Sequence, residues 1–210
     1  MRDPLLIQFA KWPEKGRVKT RLAATLGEQG AVDAHIRLTG CVLENLAATG
    51  YPLTLWWNRP LPPASDEATP ILERIAEKGV SQGVQQGSDL GERMHHALAS
   101  GIDSHGAGII VGSDCPSVDP AYVHKAAALL EQLDVVLGPA DDGGFVLIGA
   151  RTTRDGMLEG IDWGSSGVLE QTLARFHEKG LRCECLEPLW DVDEPEDWAR
   201  FLSDGAGSTG

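Results

Sequence analysis

Residues 5–22 read LLIQFAKWPEKGRVKTRL and carry the pattern that decides the fold. The apolar run at 5–10 predicts a buried strand. Pro13 and Gly16 then mark a loop, and helix-forming residues follow Thr20. Many α/β proteins bind an anion with this order of strand, glycine-containing loop and helix start. They can do so because backbone N–H groups at the helix start converge on the anion.

The loop after the first predicted strand is strongly basic. Five of the 18 Lys and Arg residues lie within 11 positions, in a chain of formal charge −13: Lys11, Lys15, Arg17, Lys19 and Arg21. Runs of like charge often form solvated surface loops, and that interpretation stays open. The apolar residues on both sides favour a phosphate site. No GxxxxGK[ST] or GxGxxG follows the strand, which argues against a P-loop NTPase and a dinucleotide-binding Rossmann domain.

Length and composition limit the classes of protein. The 210 residues predict one domain over 1–204 with a flexible tail at 205–210, and 42% hydrophobic residues can form a full core. An acidic chain with pI near 4.8 argues against nucleic-acid and anionic-membrane partners. No apolar stretch is long enough for a signal peptide or a membrane span, so we expect a cytoplasmic protein. A homodimer stays open.

The rest of the chain alternates predicted strands with predicted helices. The strands are 52–58, 108–111, 134–138, 145–150 and 181–186, and the helices are 28–49, 71–78, one starting in 85–93, 119–132, 166–180 and 195–202. Several strands are continuous apolar runs, which is typical of a mainly parallel sheet covered by helices on both faces. In such sheets ligands bind outside the carboxyl ends of the strands, where the basic loop and two other polar loops fall.

Acidic residues that could bind a metal occur in two of the loops. Asp114 follows a predicted strand in GSDCP and is a suitable ligand for Mg²⁺ or Mn²⁺. A turn aspartate that bonds its own backbone is the alternative. Asp191 and Asp193 follow the last strand and point the same way if the chain is extended, so they could complete the site. Asp193 could instead cap the helix that begins near Pro195.

The loop at 141–144 has two interpretations. Its sequence, Asp-Asp-Gly-Gly, allows close backbone approach to a ligand, but Asp-Gly is also a strong signal for a β-hairpin. The histidines and cysteines show no HExxH and no zinc-ligand spacing, and no GxSxG is present. A zinc enzyme or a hydrolase triad therefore has little support.

Five motifs in order now resemble a known family. FAKWPEKGRVKTRL, QGSDLGERM, GSDCPSVDP, LGPADDGGFVLIGA and DVDEPEDW are similar to motifs of the small bacterial GT-A-like nucleotide-diphospho-sugar transferases, a family of proposed glycosyltransferases that includes the arsenosugar-biosynthesis type. More distant similarity runs to nucleotidyltransferases such as phospholactate guanylyltransferases. The resemblance covers residues 5 to about 201. It implies a three-layer α/β/α sandwich with a mixed, mainly parallel sheet.

The resemblance also implies roles for individual residues. Phosphates would be bound by the basic loop, with Lys11, Lys15, Gly16, Arg17, Lys19 and Arg21, and by Ser113. Base and ribose would lie at Gln86, Gly87 and Arg93, and the acceptor or sugar at Asp142, Gly143 and Gly144. Mg²⁺ or Mn²⁺ would bind Asp114, Asp191 and Asp193. Asp114, Lys19 and Arg21 would form the catalytic set.

Three functions follow as hypotheses. The first is a metal-dependent transferase that uses a nucleotide-diphospho-sugar and a small acceptor. The second is a nucleotidyltransferase that joins an NTP to a small phosphorylated acceptor and releases pyrophosphate. Both reactions need positioning and neutralisation of phosphate charge, so the same residues serve either one. The third is a nucleotide-binding protein without activity.

Overall fold

The computed structural model describes residues 2–61 and 65–205. Its elements in chain order are β1 Leu5–Ala10, α1 Thr20–Ala47, β2 Leu53–Trp57, α2 Thr69–Glu77, β3 Ser81–Val84, α3 Leu90–His105, β4 Gly108–Gly112, α4 Pro120–Leu129, β5 Val135–Pro139, β6 Phe145–Ala150, α5 Val168–Glu178, β7 Cys183–Cys185 and α6 Pro195–Gly205. The predicted tail therefore lies outside the described residues except for Gly205, which ends α6.

The strands form one mixed sheet in the order β3-β2-β1-β4-β6-β5-β7. Neighbouring strands are parallel except that β6 runs antiparallel to both β4 and β5. The chain passes from β1 outward through β2 to β3 and then returns to place β4 on the other side of β1. A reversal of this kind opens a crevice at the carboxyl ends of the two central strands, where ligands bind in open α/β sheets.

Helices cover both faces of the sheet because successive strand residues point to opposite sides. On one face, Leu6 and Ile109 pack against α1 and α4 in a buried cluster. On the other face, Ile7 and Ile110 pack against α3 and α5. Helix α2 closes the β2 end of the first face, and α6 packs on α1 through Phe201. The predicted three-layer α/β/α sandwich is confirmed.

Two elements differ from the prediction. The sequence does not predict strand β3, because SQGV contains no apolar run. In the structure it is an edge strand whose first two residues are exposed. Helix α1 begins at Thr20, where the sequence predicts a helix start, and it joins the helix predicted at 28–49; the backbone of Gly27 (φ 73°, ψ 168°) divides it into a short first segment and a main helix. The main helix thus starts where the apolar periodicity starts. In the described ranges no helix is long and apolar enough to cross a membrane.

Candidate active site

A cleft of about 490 Å³ opens at the carboxyl ends of β1 and β4, and we call it the central cleft. The loop between β1 and α1 forms one wall, and the Gly112–Asp114 turn after β4 forms its floor. The residues after β2 and β3 close its far end. The sequence therefore places basic residues and an aspartate around one opening, because the strands that precede them are parallel neighbours.

Lys19 is the residue on which the central cleft is built. Its Nζ donates a hydrogen bond to Asp114 Oδ2 at 3.0 Å and another to the carbonyl oxygen of Val192, and it lies 3.8 Å from Asp193 Oδ1. Its side chain is 6% exposed. The backbone of Lys19 is left-handed (φ 43°), and among the described residues other than glycine it alone has a positive φ. Such strain persists where surrounding contacts fix it, and it is often found at functional sites.

The Lys19–Asp114 pair keeps both groups charged. Burial alone lowers the pKa of Lys19, but the charge and hydrogen bond of Asp114 outweigh this effect and raise it above its ordinary value. Burial likewise raises the pKa of Asp114, and the ammonium of Lys19 outweighs that effect and lowers it. Since each group stabilises the ionised form of the other, the cleft contains a fixed cation beside a fixed anion at neutral pH.

Asp191 adds further negative charge beside this pair. Burial, followed by the charges of Asp114 and Asp142, raises the pKa of Asp191 to about 6. Within residues 2–61 and 65–205, no group of three His, Cys, Asp or Glu side chains stands close enough to hold a metal ion. Two carboxylates with phosphate oxygens are nevertheless the usual ligand set for Mg²⁺. Asp114 and Asp193 converge on one point of the cleft, since both approach the Lys19 ammonium, and carboxylate oxygens are ligands that hard divalent cations accept. The chemistry of these residues therefore fits a divalent metal.

Four of the predicted basic residues line the central cleft with Lys19: Lys11, Arg17, Arg21 and Arg93. Arg21 pairs with Asp193 and with Glu194, the latter at 3.0 Å. Arg17 pairs with Glu14 on the surface. Lys15 lies outside the lining, because its ammonium pairs with Glu67 at 3.4 Å, and Gly16 lies outside it in a left-handed turn. Their predicted phosphate contacts stay predictions.

Gln86 and Gly87, predicted to contact the nucleotide, are exposed and lie beside the lining instead of in it. Gly87 holds the loop that leads into α3. Its φ is +142°, its carbonyl accepts from Arg93 Nε at 3.2 Å, and a Cβ there would lie 2.7 Å from the Arg93 nitrogen. Gly87 therefore positions Arg93. A direct contact of Gln86 or Gly87 with a nucleotide stays a prediction.

Buried polar groups support the floor of the cleft. Gln8, in β1, donates from Nε2 to Ser113 Oγ at 3.1 Å and to the Thr39 carbonyl at 2.9 Å. His35 Nε2 bonds the Lys11 carbonyl at 2.8 Å, and because a carbonyl only accepts, Nε2 carries the proton. Burial lowers the pKa of His35 to about 4, so the ring is neutral at pH 7.

A second cavity of about 350 Å³, the side cavity, lies between the central cleft and α5. Phe9, Arg21, Leu90 and Gly112 line both spaces, so the two are adjacent. The wall of the side cavity is mostly apolar and includes Met94, Ile110, Phe145, Ile148, Trp163 and Val168. Phe145 and Trp163 meet edge to face at 6.2 Å.

The loop at 141–144 forms the β-hairpin connection, which is one of the two interpretations that its sequence left open. It connects the antiparallel strands β5 and β6, with a hydrogen bond from Ala140 N to the Gly144 carbonyl. Asp142 and Gly144 also line the side cavity, and Asp142 Oδ1 accepts from Gly144 N at 2.9 Å. Gly143 is packed beneath, where a Cβ would lie 2.1 Å from the Ser166 carbonyl oxygen. The predicted role of this loop in acceptor binding stays a prediction.

The alternative role of Asp193 as a helix cap is wrong. Asp197 accepts hydrogen bonds from the backbone N–H groups of Asp193 and Glu194, which caps the start of α6 from within the helix. The Asp193 carboxylate is thereby available to Lys19 and Arg21. In contrast, Asp89 and Asp119 do cap α3 and α4, each accepting from a backbone N–H three residues later.

The sequence interpretation missed several residues that line or support the site. Gln8 is a polar residue inside an apolar strand, which is a usable signal, because a buried carboxamide needs partners. Asn58 and Gln85 directly follow β2 and β3 and line the central cleft. Trp163 reaches the side cavity from the segment before α5. Nothing local in the sequence indicates the positions of these last three.

Comparisons with known proteins agree with the fold. A family described as "Uncharacterized protein conserved in bacteria (DUF2064)" matches residues 42–165. The crystal structure of a proposed nucleotide-diphospho-sugar transferase from Desulfovibrio desulfuricans G20 is 30% identical, with a TM-score of 0.84 over 100% of this chain and 90% of that one. None of the curated protein sequences matches this chain.

More distant structures share the same fold. A cytidylyltransferase from Leptospira borgpetersenii serovar Hardjo-bovis (strain JB197) is 14% identical, with a TM-score of 0.61 over 100% of this chain and 89% of that one. Rv0371c from Mycobacterium tuberculosis H37Rv, in a complex with manganese, is 16% identical, with a TM-score of 0.55 over 95% of this chain and 98% of that one. This is the fold of nucleotide-diphospho-sugar transferases.

Proposed function

This chain belongs to the DUF2064 family and is a transferase, and we propose that it transfers a sugar from a nucleotide-diphospho-sugar to a small acceptor with the help of a divalent metal. The observation that carries this proposal is the Lys19 ammonium, buried between Asp114 and Asp193 at the opening of a cleft with four further basic residues. A diphosphate needs both converging cations and hard metal ligands, and the central cleft offers both.

The residues of the central cleft have distinct tasks in this reaction. Asp114 and Asp193 would hold Mg²⁺ or Mn²⁺, with Asp191 beside them, and a bound divalent ion supplies neutralisation of phosphate charge. Lys19 and Arg21 stabilise the negative charge that develops on the leaving nucleoside diphosphate. Lys19 is already rigid and desolvated, so its electrostatic effect on a phosphate oxygen is stronger than that of a surface lysine.

The side cavity is the place for the acceptor in this proposal. It borders the central cleft at Arg21 and Gly112, so a group bound there would lie close to phosphates in the cleft. Its aromatic wall, with Phe145 and Trp163, provides an apolar surface and excludes water. Asp142 is the carboxylate in its lining, and we assign to it the orientation of an acceptor hydroxyl and removal of its proton.

Nucleotidyl transfer is the second candidate, and one observation favours it. Lys11, Arg17 and Arg93 add positive charge to the cleft beyond Lys19 and Arg21, which is more than a diphosphate requires. An NTP carries the additional negative charge. In that reaction a phosphate of the acceptor attacks the α-phosphorus, the bond to the β-phosphate oxygen breaks, and pyrophosphate leaves.

The released product distinguishes these reactions. The purified protein is incubated with Mg²⁺ or Mn²⁺, an acceptor panel, and either a nucleotide-sugar or an NTP. Nucleoside diphosphate release that depends on acceptor supports sugar transfer, whereas pyrophosphate release supports nucleotidyl transfer. Tight nucleotide binding with no product across the panel would leave the non-catalytic interpretation.

The variant Asp114→Asn tests the metal site in the same assay. It should lower turnover at least about 100-fold while the protein stays folded, because it removes a metal ligand and the partner of Lys19. The control is Asp103→Asn, the same substitution at an exposed position of α3. Full activity in Asp114→Asn would contradict the proposed role.

A further inference from the structure

Two carboxamide side chains lie together in the central cleft, at the ends of the outer strands. Asn58 directly follows β2, and Gln85 directly follows β3. Both are tied to the Ala10 carbonyl oxygen, which accepts from Asn58 N at 2.9 Å and from Gln85 Nε2 at 3.4 Å. Both side chains line the cleft. The end of the cleft away from β4 is therefore lined by two carboxamide residues that meet at one backbone carbonyl.

The contact with Trp12 fixes the orientation of the Asn58 amide. The backbone N–H of Trp12 donates to Asn58 Oδ1 at 2.8 Å. A backbone N–H can only donate, so the oxygen must face it and the Nδ2 group must be on the other side. Among the described residues, Asn58 Nδ2 donates no hydrogen bond to the protein, whereas Oδ1 is occupied by Trp12. This side chain offers the cleft a donor.

The Gln85 amide is fixed with the opposite polarity. Gln85 Nε2 donates to the Trp56 carbonyl at 2.9 Å and to the Ala10 carbonyl at 3.4 Å. Carbonyl oxygens only accept, so the amide nitrogen must face them and both of its hydrogens are used. Within the described ranges, Gln85 Oε1 has no protein donor as a partner. Gln85 therefore offers the cleft an acceptor, whereas Asn58 offers it a donor.

A donor and an acceptor held in fixed positions suit a particular kind of ligand group. A sugar hydroxyl both donates and accepts, and it rotates to match either partner, so it does not need amides of fixed polarity. The edge of a nucleobase carries donors and acceptors that cannot rotate. Leu90 lines the same cleft with 42% of its surface exposed, which gives the flat face of a base an apolar surface to pack on.

We propose that Asn58 and Gln85 determine which nucleobase this protein accepts, Asn58 by donating to an acceptor on the base edge and Gln85 by accepting from a neighbouring N–H. This inference rests on the proposed function, because it assigns the base end of a nucleotide whose phosphates lie at Lys19. A site that hydrogen-bonds its ligand through fixed groups rejects the wrong ligand strongly, because buried polar groups are then left unpaired.

The variant Asn58→Asp tests this inference. The aspartate keeps an oxygen for the Trp12 N–H and replaces the amide donor by a second acceptor. Dissociation constants for UDP, GDP, CDP and ADP with Mg²⁺ are measured by calorimetry for the wild type and the variant. The added negative charge weakens the binding of all four nucleotides by a common factor. The decisive quantity is therefore the ratio of dissociation constants between nucleotides with different bases. Gln132→Glu, an exposed amide-to-carboxylate change just beyond α4, is the matched control.

We expect the wild type to bind one base at least about tenfold more tightly than the weakest, and Asn58→Asp to change that ratio at least about tenfold. Gln132→Glu should leave the ratio unchanged. If Asn58→Asp does not fold, Asn58→Ser replaces it, and because this variant lacks the amide donor it should lose the discrimination between bases. Equal weakening of all four nucleotides, or equal binding of all four by the wild type, would overturn the inference alone. No binding of any nucleotide would overturn the proposed function with it.

Discussion

Lys19 Nζ lies 3.0 Å from Asp114 Oδ2, although 95 residues separate the two in the chain. The contact joins the loop after β1 to the turn after β4. Strands β1 and β4 are parallel neighbours in the sheet. It fixes a buried ammonium at the position where the two central strands end. Because Asp193 approaches the same nitrogen from the loop before α6, three distant segments meet at one charge.

The first prediction concerns the charge of Lys19. Lys19→Met keeps the length of a side chain that is 6% exposed but removes the ammonium, so Asp114 and Asp193 lose their cation. We expect turnover to fall by about 100-fold to 1,000-fold, as when one preorganised charge-stabilising group is removed from an active site. Steady-state kinetics measure this, with Lys78→Met on the surface of the α2 end as the control. Unchanged kinetics would show that Lys19 is only structural.

The pKa of Asp191 predicts a pH dependence of stability. Its pKa rises from 3.8 in the unfolded chain to about 6 in the folded protein, so folding favours its protonated form. The stabilising contribution is complete below pH 3.8 and is lost as the pH rises through 6. Between pH 4 and pH 7 the free energy of unfolding of Asp191→Asn should therefore rise by roughly 1 kcal/mol relative to that of the wild type, after allowance for partial solvent screening.

Urea unfolding in EDTA at both pH values measures this difference without bound metal. The free energy of unfolding of each protein is compared with its own value at pH 4, so effects of the substitution that do not depend on pH cancel. A difference between Asp191→Asn and the wild type that stays constant over this range would contradict the raised pKa.

The lowered pKa of His35 predicts a pH dependence of stability in the opposite direction to that of Asp191. Burial lowers its pKa from 6.5 to about 4, so the unfolded chain binds the proton more readily than the folded protein. The wild type should lose up to about 3 kcal/mol of stability as the pH falls from 6.5 to 4. His35→Gln retains an N–H donor for the Lys11 carbonyl but does not titrate, so this part of the pH dependence should disappear. Thermal unfolding over this range tests it, and an unaltered slope would refute it.

Gly143 predicts how tightly the hairpin loop is packed. Its φ is +90°, and a Cβ would lie 2.1 Å from the Ser166 carbonyl oxygen. Gly143→Ala should lower the free energy of unfolding by about 3 kcal/mol or more, because it combines backbone strain with a clash against the main chain. Gly164→Ala is the matched control, since its φ is +94° but no atom lies within 4 Å of a Cβ there. We expect about 1 kcal/mol for that change, and equal costs for the two would contradict the packing.

The fold could be predicted from the sequence to a large extent, because buried parallel strands appear as apolar runs. Leu5–Ala10 is confirmed at its predicted bounds. The edge strand β3 could not be predicted in this way, since its first two residues are exposed and its four residues form no apolar run. The start of the main part of α1 after Gly27 follows from the apolar periodicity, and the preceding short segment follows from the helix-forming residues beyond Thr20.

The candidate site could be predicted only in part. The proximity of Lys19 and Asp114 follows once β1 and β4 are parallel neighbours, because their following loops then lie at one edge. The pairing of Lys15 with Glu67 depends on how the segment before α2 packs, and no local pattern encodes that. Asn58 and Gln85 likewise gain their orientation from backbone groups of Trp12, Trp56 and Ala10, which only the assembled sheet brings near.

The central claim is that the cleft at Lys19 and Asp114 binds a nucleotide through its phosphates together with a divalent metal. Thermal unfolding with NTPs, nucleoside diphosphates and nucleotide-sugars, each in Mg²⁺, Mn²⁺ or EDTA, tests it most directly. A ligand at 100 times its Kd should add about 2.7 kcal/mol of stability. We predict that at least one of these ligands stabilises the protein in Mg²⁺ or Mn²⁺ and loses most of that effect in EDTA. Absence of stabilisation by every ligand under all three conditions would contradict the claim.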